Sequence, residues 1–435
     1  MSRSFRVAPG GALSGVVRVP GDKSISHRSV MLGALAEGVT RVSGFLEGED
    51  ALATMNIFRA LGVRIDGPDG GELTIHGVGM HGLKAPAQVL DCGNSGTSMR
   101  LLTGVLAGQA FDATLTGDDS LRRRPMRRVA EPLERMGARI ETAADGRPPV
   151  TVHGGAALHG IDYRMPVASA QVKSALLLAG MYARGRTCVT EPAPTRDHTE
   201  RMLTAFGYPV AVDGARVCID GGGRLSACDV EVPADISSAA FFLVGASIAP
   251  GSDLTLSGVG INPTRTGVIE ILRRMGARIS INNERVAGGE PLADLRVRSA
   301  PLKGIRVPPE LVPLAIDEFP ALFVAAACAQ GETVVTGAEE LRVKESDRIA
   351  VMAEGLRVLG AHAEPTPDGM RIVGNSFRGG RVDSHGDHRI AMAFAMAALR
   401  ASAPVEIGDC ANVATSFPGF ERLARSVGLA INGAG

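Results

Sequence analysis

A phrase that recurs six times constrains the fold more than any other feature of this sequence. Each copy places a glycine after a stretch of helical periodicity and before a short apolar segment, and these glycines are Gly62, Gly137, Gly207, Gly276, Gly360 and Gly428. They are separated by 75, 70, 69, 84 and 68 residues. A glycine in this position is typical of a helix C-terminus that leads into a strand. The sequence therefore predicts six copies of one unit.

A second, buried helix is predicted in every unit, ahead of the helix that ends at the shared glycine. The candidate starts each open a stretch that is apolar nearly all round, and they are Lys23, Asn94, Ser169, Ser237, Glu318 and His388. Alternating segments such as residues 15–19 and 72–75 predict strands between the helices. These long α/β units favour two domains of three units each over a solenoid, whose repeats usually span ~20–50 residues.

Charge and composition exclude several classes of protein. The chain has 46 basic and 46 acidic residues, which argues against a general nucleic-acid or membrane-surface binder. Six cysteines form no Cys-x-x-Cys pair, so we expect no metal site and predict reduced thiols in a cytoplasmic protein: Cys92, Cys188, Cys218, Cys228, Cys328 and Cys410. The first residues open no apolar signal segment, and the apolar runs are too short to span a bilayer.

The predicted starts of the buried helices carry the polar residues that could perform chemistry. Helix N-termini attract anions, and several could converge on one cleft. Lys23, Ser24 and Arg28 form one basic helix start, although a capped surface helix would explain this pattern equally well. Residues 91–100 hold two glycines around an Asn-Ser pair, which alone indicates an ordinary turn. Residues 122–128 contain five arginines, a density that predicts anionic partners.

The second half of the chain repeats this pattern with added carboxylates. Asp317 and Glu318 lie between apolar runs, where a poorly solvated acid can serve as a general base, or Asp317 could simply cap the helix. Lys344 and Arg348 are four residues apart and are predicted to share one helical face. Basic helix starts in both halves suggest an anionic substrate that bridges them.

Seven motifs, considered together, resemble the 5-enolpyruvylshikimate-3-phosphate synthase family. They occur in the family's order over nearly the whole chain and comprise residues 20–28, 94–97, 124–125, 169–171, 317–318, 342–348 and 387–389. The resemblance implies an α/β fold of two similar domains, each of three repeated units with helices wrapped by sheet. It implies that residues 1–21 and 239–435 form domain I, that residues 22–238 form domain II, and that the active site lies in the cleft between them.

The resemblance also implies roles for individual residues. Those expected to contact shikimate 3-phosphate are Lys23, Ser24, Arg28, Ser169, Ala170, Gln171, Arg196, Asp317 and Lys344. Those expected to contact phosphoenolpyruvate are Lys23, Gly96, Arg124, Gln171, Arg348 and Arg389. Asp317 resembles the base that takes the proton from the 5-hydroxyl, Glu345 the acid that protonates the methylene carbon, and Lys23 a third catalytic residue.

The implied reaction transfers the enolpyruvyl group of phosphoenolpyruvate to the 5-hydroxyl of shikimate 3-phosphate through a tetrahedral ketal, in chorismate and aromatic amino acid biosynthesis. Acid, base and fixed cations suffice, so no cofactor or metal is expected. The expected partners are these two substrates, with neither nucleic acid nor membrane, and a monomer in the cytoplasm is expected. Ala170 and Thr415 replace residues found in some family members, which resembles the subgroup often less sensitive to the inhibitor glyphosate.

Three alternatives are weaker, one of them a related transferase and two from other classes. The related enolpyruvyl transferase that acts on UDP-N-acetylglucosamine places a reactive cysteine in the loop matching residues 122–128, and this chain has no cysteine between Cys92 and Cys188. RNA 3′-phosphate cyclases are built from related units but need a nucleophilic histidine site, of which no sign is found. A non-catalytic ligand-binding scaffold would be suggested by loss of Asp317 or Glu345, and both are present.

Overall fold

The computed structural model describes residues 3–374 and 376–434, which divide into two units. The terminal unit contains residues 3–20, 233–286 and the described part of 291–434, and the inserted unit contains residues 21–232 and 287–290. The second division follows Val232, whereas the sequence analysis set it at residue 238, inside a helix of the terminal unit. Hydrogen bonds explain the position: Val232 N donates to Ser43 of the inserted unit, and Asp235 N donates to Pro20 of the terminal unit.

The inserted unit contains seven helices among its described residues, and strands β3 to β15. The helices are α1 Lys23–Leu35, α2 Glu49–Ala60, α3 Gly96–Ala107, α4 Asp119–Arg122, α5 Arg127–Arg135, α6 Ala170–Gly180 and α7 His198–Ala205. The strands are β3 Ala36–Ser43, β4 Arg64–Asp69, β5 Glu72–Val78, β6 Leu90–Asp91, β7 Ala113–Thr116, β8 Arg139–Ala143, β9 Arg147–His153, β10 Asp162–Arg164, β11 Arg186–Thr190, β12 Ala211–Asp213, β13 Arg216–Asp220, β14 Leu225–Ser226 and β15 Val230–Glu231.

The terminal unit is built from both ends of the chain. Its helices are α8 Ile236–Ile248, α9 Gly267–Arg274, α10 Phe319–Ala327, α11 Arg348–Val358, α12 His388–Ala397 and α13 Phe420–Ser426. Its strands are β1 Ser4–Val7, β2 Ser14–Val17, β16 Asp253–Gly260, β17 Arg278–Ala287, β18 Glu290–Arg298, β19 Glu332–Val335, β20 His362–Thr366, β21 Gly369–Val373, β22 Gly380–Asp383, β23 Val405–Gly408 and β24 Ile431–Ala434.

Each unit contains three small sheets in its described residues, and all of them combine parallel and antiparallel pairs except β19-β21-β20, which is antiparallel. The sheets of the inserted unit have the strand orders β14-β3-β5-β4 with β15 also on β3, β6-β7-β9-β8, and β10-β11-β13-β12. Those of the terminal unit are β17-β18-β16-β2, β19-β21-β20 and β22-β23-β1-β24. Strands β5, β9, β13 and β21 each lie between two strands and pair antiparallel with both, and β1 does the same between β23 and β24. The threefold arrangement within each unit agrees with the sixfold repeat.

The six shared glycines close six helices in one way, as the repeat predicted. All have positive φ values, from +78° at Gly207 to +112° at Gly428. In the first copy Gly62 N donates to Arg59 O and Val63 N donates to Phe58 O, and the other five copies repeat both bonds. This is the Schellman arrangement, which satisfies the last carbonyls of a helix and requires a left-handed residue. The four arginines Arg59, Arg273, Arg357 and Arg425 also donate to a carbonyl six residues ahead, at the strand that follows.

The predicted inner helices are confirmed as α1, α3, α6, α8, α10 and α12, each starting within two residues of its predicted position. Helix α8 is buried at every residue, and α10 and α12 are buried throughout as well. Each unit has its own apolar core around its three inner helices. Because the inner helices are surrounded by apolar side chains, their charged residues lie in their first two turns, where an N-terminus can face a ligand.

Two expectations about local structure were wrong. Cys188 and Cys218 form a disulfide, since they lie directly opposite each other on β11 and β13, so only four of the six cysteines are free. Lys344 does not share a helical face with Arg348, because Lys344 follows a 3₁₀ turn at Glu339–Val343 and α11 begins only at Arg348, capped by Asp347. No helix in the described residues has the length and apolarity needed to cross a membrane.

Candidate active site

The start of α1 carries the first basic cluster. Asp22 caps the helix by accepting a hydrogen bond from Ile25 N at 2.9 Å. The Lys23 ammonium pairs with Asp50 Oδ2, on α2, at 3.0 Å, and the two side chains are 17% and 7% exposed. The ion pair holds Lys23 at the mouth of the helix, where its charge adds to that of the helix N-terminus.

Arg28 lies one turn further along α1 and is buried within the inserted unit. Its guanidinium donates to Thr199 Oγ1 at 2.7 Å and to Ser174 Oγ at 2.9 Å, and its third bond goes to the Ser24 carbonyl. Burial lowers the pKa of Arg28 to about 10, while the carboxylate of Glu200 opposes that change. A guanidinium held by three neutral oxygen acceptors keeps its positive charge available to an anion.

The start of α3 forms the second cluster. Ser95 caps the helix, and the side chain of Asn94 accepts a hydrogen bond from Arg124 Nη2 at 2.8 Å. Arg124 lies close to Gly96: a Cβ atom on Gly96 would be 3.3 Å from its Nη1 and 2.7 Å from Nη1 of Arg100. The glycine therefore lets two guanidinium groups approach the helix N-terminus, which makes this cluster suited to an anion.

The start of α6 connects with that of α3. Ser169 caps α6, Ala170 is its first residue, and Gln171 accepts a hydrogen bond from Arg100 Nη1 at 2.8 Å. The Gln171 amide nitrogen donates to Thr97 Oγ1 at 3.0 Å. Arg100 thus orients Gln171, a role that the sequence analysis missed although the residue ends the motif 91–100. Its spacing of four residues from Gly96 is the signal that could have identified it.

A buried group of ion pairs holds the chain segment that carries Arg196, one of the residues predicted to bind phosphate. Lys173 is 1% exposed, and its ammonium lies 3.0 Å from Glu191 and 2.6 Å from Glu200. Burial raises the pKa of Glu200, and the nearby Lys173 opposes that rise. Arg196 is partly buried in the loop between Glu191 and α7, so this group fixes both ends of the segment that carries it.

Arg348 organises the cluster of the terminal unit. It is 1% exposed, and its guanidinium contacts three carboxylates: Asp387 at 2.8 Å, Asp317 at 3.3 Å and Glu345 at 2.5 Å. Burial opposes its charge, but the surrounding carboxylates outweigh that effect and raise the pKa of Arg348 above its ordinary value. A buried guanidinium with three acidic neighbours is a fixed cation, which holds each carboxylate in a defined place.

Other predicted residues of the terminal unit join Arg348. Lys344 Nζ lies 3.6 Å from Asp317 Oδ1, and Arg389 Nη1 donates to the Asp317 carbonyl at 3.2 Å. Asp387 caps α12 through Arg389 N and also accepts from Ser346. Asp317, Lys344, Glu345, Arg348 and Arg389 are therefore neighbours, and Asp317 is not the helix cap that the alternative interpretation required.

Glu318 has a different environment from Asp317. It is 2% exposed, accepts a short hydrogen bond from Ser237 Oγ, and lies 3.8 Å from Arg265. Arg265 also contacts Asp235, the cap of α8. Glu318 thus links α8 to α10 as part of the packing, and only Asp317 of the pair faces the cations of the candidate site.

The arginines at 122–128 do not act as one cluster. Arg124 alone joins the start of α3, whereas Arg122 pairs with Asp119 on the surface and Arg127 and Arg128 are exposed at the start of α5. Asp50 and Asp387, which hold Lys23 and Arg348, were not predicted, because their partners are distant in sequence. Among the described residues, no three His, Cys, Asp or Glu side chains are grouped as metal ligands would be.

Comparisons with known proteins assign the family. The family model for EPSP synthase (3-phosphoshikimate 1-carboxyvinyltransferase) matches residues 7–423. A 3-phosphoshikimate 1-carboxyvinyltransferase of Alkalilimnicola ehrlichii is 74% identical over 98% of this chain and 96% of its own, and one of Methylococcus capsulatus is 72% identical over 98% of each.

Solved structures agree with this assignment. An EPSP synthase from Acinetobacter baumannii has a TM-score of 0.91 and 60% identity, with complete coverage of both chains. The enolpyruvyl transferase NikO from Streptomyces tendae shares the fold, with a TM-score of 0.81 at 19% identity over 100% of this chain and 99% of that one. The chain therefore belongs to the EPSP synthase (3-phosphoshikimate 1-carboxyvinyltransferase) family.

Proposed function

We propose that the clusters described above carry out the reaction that family membership assigns to this enzyme, the transfer of the enolpyruvyl group of phosphoenolpyruvate to the 5-hydroxyl of shikimate 3-phosphate. Both substrates are multiply charged anions, and both units offer buried or fixed cations at helix starts. The observation that carries the proposal is the grouping of Asp317, Lys344, Glu345 and Arg389 around the buried Arg348. It places acids and cations of the required kinds within one cluster.

The proposed shikimate 3-phosphate contacts follow the motif assignments. The cations are Lys23, Arg28, Arg196 and Lys344, the helix-start contacts are Ser24, Ser169, Ala170 and Gln171, and Asp317 meets the reacting hydroxyl. Support comes from the fixed position of Arg28 between Thr199 and Ser174. An arginine that is already ordered loses little conformational freedom when a phosphate binds.

The proposed phosphoenolpyruvate contacts are Lys23, Gly96, Arg124, Gln171, Arg348 and Arg389. Gly96 is the first residue of α3 and offers its backbone N–H there, and Arg124 lies beside it. Phosphoenolpyruvate carries a phosphate and a carboxylate, and arginine forks bind both groups well. Arg348 and Arg389 are the two arginines of the terminal unit that are proposed to bind these anionic groups.

The proposed chemistry requires one acid and one base. Glu345 gives a proton to the methylene carbon of phosphoenolpyruvate, the 5-oxygen of shikimate 3-phosphate bonds to C2, and Asp317 takes the hydroxyl proton. The resulting ketal then loses phosphate as the bond between C2 and the phosphate oxygen breaks. A proton returns from the methyl group to Glu345, and the proton on Asp317 passes to the leaving phosphate. Fixed cations stabilise the negative charge that develops on phosphate.

Substrate discrimination tests this proposal. The enzyme should release phosphate from phosphoenolpyruvate when shikimate 3-phosphate is present, and should release none when UDP-N-acetylglucosamine replaces it. Phosphate release with the nucleotide sugar alone would assign the chain to the alternative transferase activity. Equal release without any acceptor would indicate hydrolysis and would contradict transfer.

We also propose intermediate sensitivity to glyphosate, as in the less sensitive subgroup that the sequence resembles. Gly96 is retained, so no methyl group crowds the proposed inhibitor site. Thr415 stands where some members have lysine; it is buried, and its hydroxyl donates to the Asn412 carbonyl, so it supplies no cation. Losing one charge-assisted contact costs roughly 1.5–3 kcal/mol. The remaining expectations, a monomer in the cytoplasm, belong to the same proposal.

A further inference from the structure

Four polar side chains form a buried ring beneath the starts of α1 and α3. They come from three helix segments: His27 from α1, Thr54 from α2, and Ser95 with Ser98 from the cap and first turn of α3. His27, Thr54 and Ser98 have no exposed surface, and Ser95 is 1% exposed. Buried polar groups of this kind must bond to one another, because water does not reach them.

Four hydrogen-bond contacts connect these side chains in a closed ring. His27 Nδ1 lies 2.8 Å from Thr54 Oγ1, and Thr54 Oγ1 lies 2.6 Å from Ser98 Oγ. Ser98 Oγ donates to Ser95 Oγ at 2.7 Å. Ser95 Oγ lies 3.5 Å from His27 Nε2, a long contact that completes the ring. Two further contacts of 3.5 Å accompany the ring: Ser98 Oγ also lies near His27 Nδ1, and Thr54 Oγ1 lies near the Asp50 carbonyl.

The direction of the hydrogen bonds follows from counting protons. The Ser98 hydroxyl gives its one proton to Ser95, so Thr54 must donate to Ser98. His27 must then donate from Nδ1 to Thr54, and Ser95 is left to donate to Nε2. With neutral histidine protonated on Nδ1, every group of the ring donates once and accepts once, whereas an imidazolium would donate from both nitrogens and leave the Ser95 hydroxyl without an acceptor in the ring. Burial, together with the positive charges of Lys23 and Arg28, lowers the pKa of His27 to about 3, which agrees with a neutral ring.

The ring joins the two helix starts proposed to bind phosphoenolpyruvate. Helix α1 carries Lys23, which also pairs with Asp50 on α2. Helix α3 begins at Gly96, and its cap Ser95 accepts from Ser98 N at 3.1 Å. Arg28, in contrast, is held by Thr199 and Ser174, which lie outside the ring.

We propose that His27 is a positioning residue: the ring fixes the spacing between Lys23 and the start of α3, and thereby the phosphoenolpyruvate part of the site. The inference rests on the proposed function. Lys23 is proposed to contact both substrates, but the start of α3 is proposed to contact phosphoenolpyruvate alone, and the proposed contact of Arg28 with shikimate 3-phosphate does not depend on the ring. The KM for phosphoenolpyruvate should therefore be more sensitive to ring mutations than the KM for shikimate 3-phosphate.

Steady-state kinetics test this separation. His27→Leu and Thr54→Val each break the ring with little change in volume, and each should raise the KM for phosphoenolpyruvate on the order of tenfold, because small displacements of binding groups are costly. The KM for shikimate 3-phosphate should stay within about threefold of wild type. Thr54→Ser keeps the hydroxyl and should restore wild-type kinetics. The double variant with His27→Leu and Thr54→Val should resemble each single variant, because one substitution already breaks the ring and the second removes no further connection.

Other kinetic outcomes would overturn the proposal. Equal rises in both KM values, unchanged KM values with a lower fraction of active enzyme, or additive effects in the double variant would each indicate ordinary packing. If His27→Leu does not fold, the Thr54→Val and Thr54→Ser pair carries the same comparison.

A spectroscopic measurement tests the ring without using activity. In the ¹⁵N-labelled full-length protein without substrates, the His27 ring nitrogens, identified by their loss in His27→Gln, should show one neutral tautomer with the proton on Nδ1 from about pH 5 to 8. The neutral tautomer with the proton on Nε2 would overturn the ring, because Nδ1 could then not donate to Thr54. A wild-type enzyme that does not turn over both substrates would overturn the proposed function and leave this spectroscopic result valid.

Discussion

At the scale of single residues, the candidate site depends on how one cation holds several acids. Arg348 contacts Asp317 and Glu345, the two groups proposed to move protons, and Asp387 holds Arg348 from the other side. An acid and a base with a shared cationic neighbour keep a fixed separation. Individual substitutions can therefore remove a proton-transfer group and leave the cluster's cations in place.

Replacing Asp317 should abolish most turnover. Asp317→Asn keeps the size of the side chain but removes the proposed base, and we expect kcat to fall about 10²–10⁴-fold while shikimate 3-phosphate still binds. The control is Glu340→Gln, which removes a partly exposed carboxylate 3.8 Å from the same Lys344. The control should retain near wild-type kcat. Near-normal turnover in Asp317→Asn would exclude Asp317 as the base.

Adding a methyl group at Gly96 should separate glyphosate from phosphoenolpyruvate. The new Cβ would lie 2.7 Å from Arg100 Nη1 and 3.3 Å from Arg124 Nη1, so the two guanidinium groups must move. In Gly96→Ala the inhibition constant of glyphosate, the slightly longer molecule, should rise more than the KM for phosphoenolpyruvate. An unchanged inhibition constant would show that Gly96 does not line the pocket.

At the scale of the elements, the sequence repeat predicted the inner helices and the helix ends, but it did not predict the side-chain contacts between helices. The six inner helices and the six left-handed glycines follow from local patterns, because capping and burial depend on residues close in sequence. The pairs Lys23–Asp50 and Arg348–Asp387 could not be predicted, because they are set by which helices the fold brings together. The same holds for the disulfide, which depends on the register between β11 and β13.

Among the shared glycines, Gly276 should be needed for its backbone conformation and not for space. Gly276 has φ +98°, and an added Cβ would meet only the Pro301 carbonyl at an ordinary 3.5 Å. Gly276→Ala should therefore lower the free energy of unfolding by about 1–2 kcal/mol, the cost of a left-handed conformation. Gly408→Ala in β23 is the control, because Gly408 lacks a positive φ and its added Cβ also makes ordinary contacts. Equal effects of the two substitutions in denaturant unfolding would contradict the backbone explanation.

The disulfide predicts how many cysteines can be alkylated with and without prior reduction. Alkylation of the air-purified, denatured protein without reductant should modify four cysteines, namely Cys92, Cys228, Cys328 and Cys410, and prior reduction should raise the number to six. Mass spectrometry of the intact chain measures both numbers. Six modified cysteines without reductant would restore the original expectation of reduced thiols.

At the scale of the whole molecule, two units of similar architecture belong to an enzyme with one reaction. Each unit repeats a module three times, and each presents cations at the starts of buried helices. Family membership assigns the reaction, and we propose that the clusters supply an acid, a base and fixed cations for it. The central claim is that this enzyme transfers the enolpyruvyl group by protonating its methylene carbon and later removing a proton from the methyl group so formed.

Turnover in heavy water tests that claim most directly. The enzyme, phosphoenolpyruvate and shikimate 3-phosphate are mixed in D₂O, and the enolpyruvyl product is examined by NMR and mass spectrometry. Protonation at the methylene carbon predicts that deuterium appears in the methylene group of the product, and that phosphate is released only when shikimate 3-phosphate is present. A product whose methylene group contains no deuterium, or phosphate release without product, would contradict the account.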